Sequence, residues 1–167
     1  MENKTDQSHT INRLVPEKIR TFFVSHLNHI YCAKSHFVER LPAIGLRDHF
    51  ANLKIPIELL TADVTEQILK LSVIFKLLDA EPTVKKSGSL INAVEEAFTA
   101  IHLHENEPEM QKISLYYYLY NIANMEMASF KVLKIAAVGL KNNPISLLVK
   151  LNFKDAKSDR AKILFAT

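Results

Sequence analysis

Apolar residues recur at alternating steps of three and four along Phe23, Leu27, Ile30, Phe37 and Leu41, and the same rhythm returns in three later segments. That spacing belongs to one face of an α-helix. It predicts a first long helix from Pro16 to about Leu41. Pro16 suits the opening turn, Glu17 lies beside the positive helix end, and Pro42 stops the run. A short helix is expected over residues 43–52. Pro56 then opens a second long helix with an inner face of Ile57, Leu60, Asp63/Val64, Gln67/Ile68, Leu71, Ile74/Phe75 and Leu78. Residues 79–89, with Pro82, Lys85, Lys86 and Gly88, read as a solvated connection. A shorter helix follows from Ser89 to about His104, patterned on Leu90, Ala93, Ala97 and Ile101.

The third long helix starts near Pro108 and ends around Leu140, ahead of the stop signal Asn142-Asn143-Pro144. Its stripe is Leu115, Leu119, Ile122, Glu126, Phe130, Leu133 and Ala137. The fourth runs from about Pro144 to Ala166 on Leu148, Leu151, Asp155, Asp159 and Ile163. Two long helices, a long crossover holding its own short helix, and two more long helices predict an all-α, ferritin-like four-helix bundle, with a plain up-down bundle or a helical-repeat fragment as the alternatives. Residues 1–14 form a polar arm that reads as disordered, and residues 15–167 form one helical domain.

Composition agrees with that architecture. Three glycines and six prolines in 167 residues favour long helices over a turn-rich β-fold. A net charge of +3, with lysines spread over several segments, reads as solvated helix faces and points away from nucleic acid. Cys32 is the only cysteine, so no internal disulfide forms and a reducing, cytoplasmic setting is expected. His36 lies one turn beyond Cys32 but brings no orienting acid, so thiol catalysis is not expected. No membrane-spanning run, phosphate-binding loop, zinc-type cluster or Ser-His-Asp set is legible.

The polar residues inside the stripes carry the chemistry. Lys34 interrupts the first apolar stripe, and an unpaired ammonium there would cost several kcal/mol. Each other long helix offers an inward polar candidate, giving the set Lys34, Asp63, Gln67, Glu126, Asp155 and Asp159. The expectation is that Lys34 pairs with Glu126 and with Asp63 or Asp155. A competing expectation turns Asp63 and Asp159 outward and leaves Glu126 alone in the core. None of the seven histidines follows a Glu by three or four residues, so the Glu-x-x-His element of di-iron bundles is missing and surface roles are expected for them.

Three segments resemble the bacterial stress-associated ferritin-like family typified by YciE and YciF. Ile30-Tyr31-Cys32-Ala33-Lys34-Ser35-His36-Phe37-Val38-Glu39-Arg40-Leu41-Pro42 is similar to its first-helix LYDAEKQLVKALP. Ile74-Phe75-Lys76-Leu77-Leu78 followed by Pro82 is similar to VFELLGEKP. Glu126-Met127-Ala128-Ser129-Phe130-Lys131-Val132-Leu133 is similar to HYEIASYRTL. The resemblance spans roughly residues 18–165 and implies a dinuclear metal site. The chain departs from it at that site. Lys34 stands where the family's first-helix Glu lies, Leu60 replaces the His of HLEET, and Asn124 replaces the His of HYE. Asp63, Gln67, Glu126, Asp155 and Asp159 keep family-like positions.

These departures set the functional expectation: a non-catalytic ferritin-like protein with a degenerate, metal-free centre and a stress-related role. The competing reading is a weak single-metal or oxidoreductase-like protein using Asp63, Glu126 and Asp155 to hold one Mg, Mn, Ca or Fe ion. The resemblance implies a homodimer. In the run Tyr116-Tyr117-Tyr118 at least one ring must leave the core and face such a partner.

Overall fold

The computed structural model describes residues 16–46, 48–84, 88–104 and 106–165, the side chains of residues 48, 49, 164 and 165 excepted. The expected arm, residues 1–14, lies outside the described residues, as do Lys85 and Lys86 of the connection. Among the described residues every regular element is helical: α1 (Pro16–Arg40), α2 (Pro42–Gly45), a 3-10 segment (Asp48–Leu53), α3 (Lys54–Leu77), α4 (Ser89–Leu103), α5 (Pro108–Leu140) and α6 (Asn143–Phe165). None of these helices is long and apolar enough to cross a membrane.

The helix ends follow from local chemistry. Pro108 sits in the first turn of α5, where its missing N–H is no loss. At the other end Lys141 adopts the left-handed conformation, φ 51°, and its N–H bonds the Val138 carbonyl. Asn142 then accepts a hydrogen bond from the Ile145 N–H at 3.1 Å, capping α6. The expected short helix over 43–52 is instead two pieces. Ile44, Phe50 and Leu53 are all buried. Six residues separate Ile44 from Phe50, which puts them on different faces of one continuous α-helix. Breaking the helix lets all three turn inward.

Helix α1 packs against α3, α3 against α6, α6 against α5, and α5 against α1, closing a circuit of four long helices. Helix α4 lies on α1 and α5. Each neighbouring pair runs antiparallel. Arg20 near the start of α1 reaches the Leu78 carbonyl at the end of α3, at 2.5 Å. Lys70 bonds Asp155 while Lys162 bonds Asp63, so α3 and α6 also run in opposite senses.

Two apolar clusters fill the interior. One gathers Phe23, Leu27, Ile30, Leu71, Phe75, Phe130 and Val149, and the other Phe37, Leu41, Ile57, Val64, Leu115, Ala123 and Ile163. The inner faces of α1, α3 and α5 fall where the spacing predicts. Helix α6 is rotated from its expected face. Its buried residues are Ile145, Val149, Asn152, Ala156, Asp159 and Ile163, while Leu151 is exposed and Leu148 half-buried. The predicted stripe would have buried Asp155 together with Asp159. With Glu126 that would place three carboxylates beside one ammonium in low dielectric, and the rotation takes Asp155 out of that set.

Candidate functional site

A polar belt separates the two apolar clusters at mid-height, with one residue from each long helix. Lys34 lies between Ile30 and Phe37, Gln67 between Val64 and Leu71, Glu126 between Ala123 and Phe130, and Asp159 between Ala156 and Ile163. Each belt residue occupies a core position of its own stripe. Lys34 is 5% exposed, Gln67 2% and Asp159 5%, which makes this the most enclosed charge cluster among the described residues.

The connections run around the belt. The Lys34 ammonium is ion-paired with the Glu126 carboxylate. It also donates to Gln67 Oε1. Gln67 Nε2 in turn donates to Asp159 Oδ2 at 2.6 Å. The amide of Gln67 therefore turns its oxygen to the cation and its NH₂ to the acid, coupling the two charges through one side chain. Phe130 lies below, its ring centroid 5.9 Å from Lys34 Nζ, and adds a favourable cation–π contact. Burial pushes the Asp159 carboxyl above the usual aspartate range. The Gln67 hydrogen bond and the Lys34 charge oppose that rise, the Glu126 charge adds to it, and the Lys162 charge opposes it. A cavity of about 40 Å³ lies beside Lys34, Glu126 and Asp159.

Of the six residues singled out from sequence, the fold brings together Lys34, Gln67, Glu126 and Asp159. Asp63 and Asp155 do not join them. Asp63 accepts a hydrogen bond from Lys162 on the outer side of α3 and α6. Asp155 pairs with Lys70 at 2.8 Å, and Lys70 also meets Glu66 at 2.9 Å. The expected second partner of Lys34, Asp63 or Asp155, is thus corrected to Gln67, with Asp159 behind it. Asp159 was expected to turn outward in the competing reading, and it turns inward. The proposed single-ion triad of Asp63, Glu126 and Asp155 is not assembled, since each of its carboxylates already faces a different lysine. Among the described residues no three His, Cys, Asp or Glu side chains converge in metal-ligand geometry.

Other polar residues escaped the sequence reading. Asn28 is buried and clamps the segment after α3: its Nδ2 donates to the Thr83 carbonyl at 2.9 Å and to Thr83 Oγ1 at 3.0 Å, and its Oδ1 accepts from the Thr83 N–H at 2.8 Å. Gln111 donates to the Ile101 carbonyl at 2.8 Å, closing the link between α4 and α5. A polar residue next to a buried stripe position, as Asn28 is to Leu27, was the available signal. Cys32 is buried with its Sγ 3.1 Å from the Thr83 carbonyl. His36 turns away from it to Glu95 at 2.5 Å, with Arg40 3.2 Å from the same carboxylate. The His36 hydrogen bond and the Arg40 charge hold the Glu95 carboxyl below its usual range.

The dinuclear centre implied by resemblance needs inward carboxylates and imidazoles. The belt offers two carboxylates, one amide and one ammonium, and the ammonium occupies the face of Glu126 that a cation would need. These residues do not fit such a centre.

The family model described as "Domain of unknown function (DUF892)" matches residues 18–163. No curated protein and no solved structure matches the chain. Since the family match runs through all four long helices and every residue of the polar belt, the chain belongs to the DUF892 family.

Proposed function

We propose that the chain is a ferritin-like helical-bundle protein whose centre holds an internal cation in place of metal, and that it is non-catalytic. The observation that carries this is the Lys34 ammonium, buried and bound between Glu126 and Gln67. The antiparallel circuit of four helices, with α4 in the crossover between α3 and α5, supports the ferritin-like reading. Lys34 pairs with Glu126 directly and reaches Asp159 through the Gln67 amide, so its ammonium takes the place an ion would fill between them. Two divalent ions placed there would be repelled by the ammonium and would find no imidazole. With no displaceable ligand position and no converging acid–base pair on a substrate-sized opening at the belt, the centre serves as an electrostatic staple.

The role left to such a protein is stress-associated, as resemblance implies, and exercised through partners. Tyr117 is exposed and offers a homodimer contact. Metal analysis of dialysed protein tests the reading. The expected result is far less than one iron, manganese or zinc per chain, with little change after incubation with each ion. Retention of one or two ions per chain refutes it. The Lys34→Glu variant is expected to gain affinity for divalent ions, because it restores a carboxylate opposite Glu126.

A further inference from the structure

A second chamber, of about 470 Å³, opens on the side of the belt away from Phe130, where α3 begins, α5 begins and α6 ends. Its inner wall is Leu60, Leu119 and Ile163, the same three residues that close the far side of the small belt cavity. Leu59, Tyr116 and Ala161 line the outer part. The gap has a cause in the sequence. Helices α3 and α5 face one another across the circuit, and of the α6 residues at the lining Ser158 and Ala161 are small, with Ile163 at the inner wall and Lys162 at the rim. The three wall residues are 7–9% exposed, whereas the core above them is almost wholly enclosed.

We propose that this chamber binds an uncharged, largely apolar small molecule of ring or short-chain type. The volume falls within the range of about 300–1,000 Å³ used by small-molecule sites. The walls are overwhelmingly apolar, and the charge at the mouth selects against ions. Lys162 is the cation on the rim. It is bound to Asp63 and lies 3.8 Å from Asp159, so an anionic ligand would compete with two carboxylates already in place. A cationic ligand would meet Lys162 itself. The chamber is independent of the metal-free reading of the belt, since Lys34 is not among its lining residues.

Fluorescence titration with N-phenylnaphthylamine, a neutral apolar probe, tests the proposal on the full chain. The expected result is saturable binding to one site per chain, at least tenfold tighter than the anionic probe anilinonaphthalene sulfonate. Ala161→Trp fills the chamber from α6 and is expected to weaken the neutral probe at least tenfold with unchanged helix content. Lys70→Met, on the outer seam and away from the chamber lining, is expected to leave probe binding intact. Absence of saturable binding overturns the proposal. So does binding indifferent to Ala161→Trp, or tighter binding of the sulfonate. Light scattering on the same samples adds one more refuting outcome: a dimer that Ala161→Trp breaks would make a second copy the occupant.

Discussion

Replacing Lys34 by methionine keeps an unbranched apolar stem of nearly the same length and deletes the ammonium, with its charge and its hydrogen bond to Gln67. In the folded chain Glu126 is 14% exposed and Asp159 7% exposed at the side chain. Glu126 would then lose its cation, and Asp159 would keep only Lys162, 3.8 Å away. Removing one member of a buried pair costs about 3–5 kcal/mol. For a chain of this size each kcal/mol lowers the melting temperature by about 2–4 °C, so a fall of about 6–20 °C is expected. Urea denaturation followed by circular dichroism measures the free energy directly. The double variant Lys34→Met/Glu126→Leu removes both charges and should regain much of the loss, since an apolar replacement of a whole buried pair is often neutral or better. Lys70→Met provides the outer-face control, and its pair with Asp155 is worth about 1 kcal/mol or less. A Lys34→Met melting temperature no lower than that control would refute the buried-cation argument. So would a double variant that loses as much as the two single variants combined.

The raised pKa of Asp159 carries a sign that can be checked. Its folded carboxyl holds a proton more tightly than the unfolded value of 3.8, so stability falls as pH climbs from 3.8 through the folded pKa. The Asp159→Asn variant lacks that slope, and its stability relative to the parent is expected to rise over the same window. A difference that stays flat with pH in urea denaturation would contradict it. Asn28→Ala removes three hydrogen bonds to Thr83, at about 0.5–1.5 kcal/mol each, and should speed amide exchange through residues 79–84 without moving the rest of the core. Tyr117→Glu is expected to halve the particle mass in light scattering if the homodimer uses that face, and an unchanged mass would remove Tyr117 from the contact.

The helices were legible because each long one repeats a single periodic stripe between strong stops. Pro16, Pro42, Pro108 and the Asn142-Asn143-Pro144 turn mark ends that the structure reproduces within one or two residues. Helix α6 was misread because two stripes compete on it. Leu148, Leu151 and Ile163 suggest one face, and Ile145, Val149 and Ile163 another. Hydropathy alone does not separate them. What does is the partner set: Lys70 and Lys162 on the outer seam draw Asp155 and Asp63 to the surface, and Lys34 has room for only one further acid. That information resides in neighbouring helices and so is absent from the periodicity of α6. The same limit hid the Asn28–Thr83 clamp, which joins residues 55 positions apart.

The belt ties the four long helices together through the chain's own side chains. A metal centre holds four helices at fixed height because several charged ligands share one charge of opposite sign. Here one long side chain performs that task from inside the chain, reaching Glu126 on α5 directly and Asp159 on α6 through the Gln67 amide of α3. All four helices remain tied at the same level. The tie is covalently part of α1. A buried charge network of this kind adds little net stability over a well-packed apolar layer, but an incorrect register would strand the lysine in one of the two apolar clusters. Its value therefore lies in specifying one alignment of the four stripes, and the double variant discriminates this directly. If the belt sets register, Lys34→Met/Glu126→Leu should recover stability yet broaden the spectral signature of a single packed core.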